Sequence, residues 1–86
     1  MNNISTLNEM RIGESALVYS INLSGAMKRR LLDLGMVSGT VVECVGKSPL
    51  SDPSAYMIRG AVIAIRSDDG KNILVRKCKG DGYGTD

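Results

Sequence analysis

Gly25-Ala-Met-Lys-Arg-Arg-Leu-Leu-Asp-Leu-Gly-Met-Val-Ser-Gly-Thr-Val-Val42 changes its periodicity halfway along, and that change decides the fold. Met27, Leu31 and Leu34 recur at i, i+4 and i+7, which places them on one stripe of a helix. Ser24 stands where an N-cap hydroxyl would accept from an orphan N–H of the first turn. Gly35 follows the last apolar residue, where helices commonly end through a left-handed residue that carries no Cβ penalty. Gly39 then turns the chain into Thr40–Lys47, whose valines favour an extended backbone. A short helix therefore feeds directly into a strand, and glycines make the join.

Upstream of the helix, residues 1–5 offer no core anchor beyond Ile4 and read as loose. Thr6–Met10 reads as one turn, with Thr6 capping and Glu9 reaching back; Leu7, Met10 and Ile12 would fasten it to the core. Ser15–Ile21 is a strand with apolar residues on both faces, which suggests cover on both sides. In the strand after the helix, Val42 and Cys44 are expected to point inward. Pro49 and Pro53 make residues 48–54 a loop. Residues 56–59 and 61–66 are two short extended runs with Gly60 as the bulge or tight turn between them. Asp68-Asp69-Gly70-Lys71 suggests a hairpin-type turn. Residues 72–77 form the last strand, with Ile73 and Val75 inward and Arg76 outward. Residues 1–78 thus make one domain, and 79–86 a flexible tail. Five short strands and one helix suggest a small, strongly bent antiparallel barrel, since closure removes exposed edges. The pattern alone does not separate an SH3-like barrel from an OB-fold.

Bulk composition narrows the function. Eighty-six residues allow a single small core, because only about 60 % of the unfolded surface can be buried at this size. A net charge of +2 gives no strong nonspecific attraction to nucleic acid, and three tyrosines as the only aromatics make no base-stacking surface. Histidine is absent, which removes the usual general base and the commonest metal ligand. No nucleophile–base pair, phosphate loop or dinucleotide fingerprint is present, so the chain does not read as an enzyme. Cys44 and Cys78 form no CxxC, and the first ten residues hold no apolar signal region, which points to a reducing cytoplasm. The longest apolar run, 61–65, is far short of the ~18 residues that a spanning helix needs, so no membrane insertion is expected.

Arg29-Arg-Leu-Leu-Asp-Leu-Gly-Met-Val-Ser-Gly-Thr40 resembles the signature of the FeoA family, small proteins associated with bacterial ferrous iron uptake. The resemblance extends from Thr6 to Val75 through Met10–Glu14, Pro49–Pro53, Gly60–Arg66 and Ile73–Val75, with Ile65 where leucine is the expected residue. It implies a mainly β fold, a small five-stranded SH3-like barrel with a short helical insertion after the first strand. It also implies a cytoplasmic accessory role through contact with the membrane transporter FeoB, and a class label of transition metal ion binding, with ferrous iron as the metal and no ligand residues attached. The related alternative is an SH3-like metal-regulatory module akin to the C-terminal domain of metal-dependent repressors; those carry an upstream helix-turn-helix for which this chain has no room. The sequence sets no oligomeric state.

The candidate partner-binding residues are Lys28, Arg29, Arg30, Leu32 and Leu50; Gly35, Gly39 and Gly60 are structural turns. At about 100° per residue, Leu32 falls away from the inner stripe and among cations. It suits either docking on a partner or packing beneath the Pro49–Pro53 loop. The three cations are expected in the first half of the helix, where its dipole does not favour them. In the loop, Leu50 and Asp52 are presented for contact, although Asp52 more simply caps its own turn. Asp68 and Asp69 supply too few oxygens for a hard-cation site.

Overall fold

The computed structural model describes residues 4–50 and 52–77. Six strands occur in chain order: β1 (Ile4–Thr6), β2 (Ser15–Ile21), β3 (Val41–Lys47), β4 (Ser54–Ile58), β5 (Ala61–Ile65) and β6 (Ile73–Lys77). Helix α1 (Gly25–Asp33) lies between β2 and β3, and a one-turn helix α2 (Ser67–Gly70) between β5 and β6. A 3-10 turn, Leu7–Glu9, follows β1. All pairings are antiparallel and give one sheet in the order β1-β6-β2-β3-β4-β5. The five expected strands are present, and the helical insertion falls where expected.

The sixth strand corrects the reading of residues 1–5 as loose. Ile4, Ser5 and Thr6 pair with Arg76, Val75 and Leu74, a partner at the opposite end of the described chain, so no local pattern announces it. Residues 1–3, Cys78 and the expected tail, 79–86, lie outside the described residues.

The sheet curls strongly. In a flat sheet, strands about 4.8 Å apart would hold β4 far from the end of β1, four places away in the order. Instead the Tyr56 hydroxyl on β4 donates to the Leu7 carbonyl just after β1, at 3.2 Å. Among the described residues no ladder joins β5 to β1, so the barrel closes through packing and side-chain bonds. The shared core holds Leu7, Met10, Ala16, Val18, Leu31, Met36, Val42, Cys44, Tyr56, Ile58, Ile63, Ile65, Ile73 and Val75. Val42 and Cys44 point inward, as do Ile73 and Val75, while Arg76 is exposed.

Two bulges tighten the curl, one between Val18 and Ser20 against β6 and one between Cys44 and Gly46 against β4. The first changes the phase of β2. Ala16 and Val18 are buried, whereas Leu17 and Tyr19 are 37 % and 50 % exposed, and Ile21 beyond the bulge returns to the core. Cover on both faces of β2 is therefore not found. Ile12, expected to fasten the N-terminal turn, is 60 % exposed; Leu7 and Met10 do that work alone.

Around Asp68–Lys71 the chain forms one helical turn rather than a hairpin turn. Three side chains hold it, one of them Asn72, whose amide donates to the Asp68 carbonyl at 3.3 Å. The Asp52 carboxylate accepts from the Ser67 N–H and hydroxyl, both at 2.9 Å, and Asn8 donates to the Ser67 carbonyl at 2.9 Å. Asn8 also presses on the bare Cα of Gly70, which leaves no room there for a side chain.

Candidate functional site: the outer face of helix α1

Helix α1 is anchored on one side only. Leu31 is fully buried, and Met27 and Leu34 pack partly buried against the core, as the spacing predicts. Ser24 occupies the N-cap position with extended backbone, yet its hydroxyl makes no capping bond, contrary to expectation. Precision comes from the other end. Gly35 has φ +92°, its N–H donates to the Leu32 carbonyl at 2.9 Å, and the Met36 N–H reaches back to Leu31 at 2.9 Å. This is the Schellman arrangement, and the two residues it brings together, Leu31 and Met36, are both fully buried in the shared core.

The following turn is fixed by Thr40, which sequence reasoning passed over. Its hydroxyl donates to the Gly35 carbonyl at 3.0 Å and accepts from the Val37 N–H at 3.1 Å. Gly39 and Thr40 then bond to Val18 of β2, at 2.7 and 2.8 Å. The helix is thus locked to the sheet through its C-terminal end, and its outer face is left clear.

That face carries Lys28, Arg29, Arg30 and Leu32. Leu32 is 44 % exposed and lines an open depression of about 510 Å³ with Gly25, Lys28, Arg29 and Asp33. Among the described residues none of the Pro49–Pro53 loop lines it, so packing of Leu32 beneath that loop is not found there. None of the three cations has an ion-pair partner among the described residues. Arg30 falls in the last turn of α1, where the dipole favours a cation, and not in the first half as expected.

Leu50 is 87 % exposed but does not line this depression. Its loop is clipped in place. Asp52 caps α2, not its own turn, while its own N–H donates to Ser48 Oγ at 2.9 Å. The Ser67 backbone N–H, and then the Ser67 hydroxyl, hold the Asp52 carboxyl below the usual aspartate value.

Gly60 forms the tight turn expected between β4 and β5, but with an unexpected neighbour. Arg59 has φ +49° and Gly60 +85°, so Ile58 pairs with Ala61 across a two-residue hairpin turn. The Arg59 side chain lies against Gly35, where an added Cβ would collide with it. The only sequence signal for this was the Gly60 that follows. A second shallow groove, about 280 Å³, is lined by Leu17, Val18, Tyr19, Ser38, Gly39 and Arg76, with the Arg76 guanidinium 5.8 Å from the Tyr19 ring centre.

For a metal, the described residues bring no donor set together. Among the described residues no three His, Cys, Asp or Glu side chains come together, and Cys44 is a buried free thiol. The residues described therefore do not fit a resident metal ion. Among them, no helix is long and apolar enough to cross a membrane.

Comparison with known proteins gives a consistent result. The FeoA domain model matches residues 5–77. An Fe(2+) transport protein A/Fe(2+) transporter FeoB fusion protein of Porphyromonas gingivalis is 30 % identical over 69 residues, covering 80 % of this chain. The chain spans only 8 % of that relative's length. The solution structure of FeoA from Chlorobium tepidum superimposes with a TM-score of 0.83 at 32 % identity, over 91 % of this chain and 74 % of that one. A zinc-complexed FeoA of Stenotrophomonas maltophilia, described as an SH3 domain protein, does so with a TM-score of 0.71 at 33 % identity, over 83 % and 88 %. A manganese-dependent transcriptional repressor shares the fold over 44 % of its length, with a TM-score of 0.73; at 18 % identity the likeness extends to the fold alone.

Proposed function

Because the chain belongs to the FeoA domain family, a family of Fe(2+) transport, we propose that it is a cytoplasmic accessory protein that docks on a FeoB-type transporter through the outer face of α1. The observation that carries this reading is the relative in which the two proteins are one polypeptide. Fusion supplies a high effective concentration without any new contact. Functional association still needs a contact surface on the folded domain itself. The outer face of α1 has the right composition: a half-exposed leucine in a depression, rimmed by cations that have no partner among the described residues. Leu50, exposed between β3 and β4, is a further candidate contact.

The role is one of assembly or regulation and not of catalysis. Without histidine, and without clustered ligand side chains among the described residues, ferrous iron is read as the cargo of the system and not as a group held by those residues. A metal-regulatory role like that of the repressors has only the shared fold in its favour.

Complementation of iron uptake tests the reading, with a thermal melt of each variant alongside. Arg29→Glu/Arg30→Glu is expected to fold normally and fail to support uptake. Full uptake by that folded variant would move the docking surface elsewhere.

A further inference from the structure

Arg59 is the only non-glycine among the described residues held at positive φ. A left-handed backbone is unfavourable for any residue with a Cβ, and the turn it occupies is one that Gly or Asn fills more readily. Such strain persists where the side chain has a use. Here the side chain does not serve the fold by bonding: the guanidinium has no hydrogen bond or ion pair among the described residues. It crosses Gly35, whose missing Cβ leaves it the space, and so brings a fourth cation to the end of α1 from a distant turn.

We propose that Arg59 is part of the α1 docking surface, and that this surface recognises an acidic segment of the transporter: a carboxylate on the Arg59 fork beside an apolar side chain seated on Leu32. This rests on the docking reading above. Charge complementarity carries the choice of occupant. Lys28, Arg29, Arg30 and Arg59 are all unpaired among the described residues, and Asp33 is the one acid lining the depression. A planar guanidinium with five free donors matches a carboxylate bidentately.

The test uses the full chain and a FeoB-type transporter in nanodiscs of uncharged lipid. Wild type, Arg59→Gly, Arg59→Lys and Arg29→Glu/Arg30→Glu are compared by affinity and by melting temperature. Glycine relieves the positive φ, so Arg59→Gly is expected to melt at or near the wild-type temperature while binding at least about tenfold more weakly. Arg59→Lys keeps the charge but loses the fork, and is expected to bind with intermediate affinity. If Arg59→Gly binds like wild type while Arg29→Glu/Arg30→Glu does not, this inference is overturned and the docking reading stands. If wild type does not bind the transporter, both fall. Equal loss by Arg59→Gly on transporter-free phosphatidylglycerol vesicles would make the ligand a lipid headgroup, and would also overturn the proposal.

Discussion

The hydroxyl of Tyr56 and the carbonyl of Leu7 are 3.2 Å apart, although their segments lie four places apart in the strand order. This bond ties the curl of the sheet together inside the core. The Leu7 carbonyl also accepts from Met10 N–H, so removing the hydroxyl leaves no orphan acceptor. Tyr56→Phe should therefore cost about 0.5–1.5 kcal/mol in urea unfolding. Burial raises the Tyr56 phenol above its ordinary value, so the folded state keeps its proton longer than the unfolded chain. Stability should then fall as pH rises above about 10, and that fall should be weaker in Tyr56→Phe. Identical alkaline profiles would rule out this role for the phenol.

Gly35 should be intolerant of any side chain. Its φ of +92° belongs to the backbone, and the Schellman bonds of Leu32 and Met36 depend on it. Gly35→Ala should cost about 1–2 kcal/mol, and Gly35→Val at least as much. Most of the Gly35→Ala cost should survive in an Arg59→Gly background, because a flexible arginine can swing aside. If the cost vanished there, steric overlap with Arg59 would be its main source.

The Asp52–Ser67 clip makes an acid-sensitive contribution. The folded carboxyl binds its proton less readily than the unfolded one, so the stabilisation is present above about pH 4 and is lost as pH falls through the lowered folded value. Asp52→Asn should lower the melting temperature near neutral pH, and the difference from wild type should shrink as pH falls through the lowered folded value of the carboxyl. A difference that stays constant with pH would show that shape, and not charge, accounts for the clip.

Titration of the isolated protein with ferrous iron under anaerobic calorimetry should give no stoichiometric, submicromolar site. The motivation is the missing histidine and the absence of clustered ligand side chains among the described residues. A tight site would direct attention first to Cys44 and Cys78.

What the sequence made legible was local. The stripe of Met27, Leu31 and Leu34 follows from helical periodicity, and the inward Val42–Cys44 and Ile73–Val75 pairs follow from strand alternation. What it hid depends on distant partners. β1 exists because β6 offers it an edge, and α2 forms where an Asp-Gly pair suggests a hairpin because Asp52 and Asn8 reach its first turn. The exposed position of Leu32 was readable from its angle on the helix, but not whether a loop would cover it. Of Arg59, Gly60 announced the turn but not the neighbour: its place beside Gly35 results from two turns meeting in space.

The central claim is that the cationic outer face of α1 binds the transporter, and affinity measured against salt tests it most directly. Wild type should bind a FeoB-type transporter with an affinity that falls as salt rises, since exposed charges are screened over about 8 Å at physiological ionic strength. Arg29→Glu/Arg30→Glu should bind at least about tenfold more weakly, with little salt dependence left and with an unchanged melting temperature. Leu32→Ala should also bind more weakly, at a folding cost below about 1 kcal/mol, as suits a half-exposed side chain. A folded, charge-reversed chain that binds as tightly as wild type, with the same salt dependence, would contradict the account.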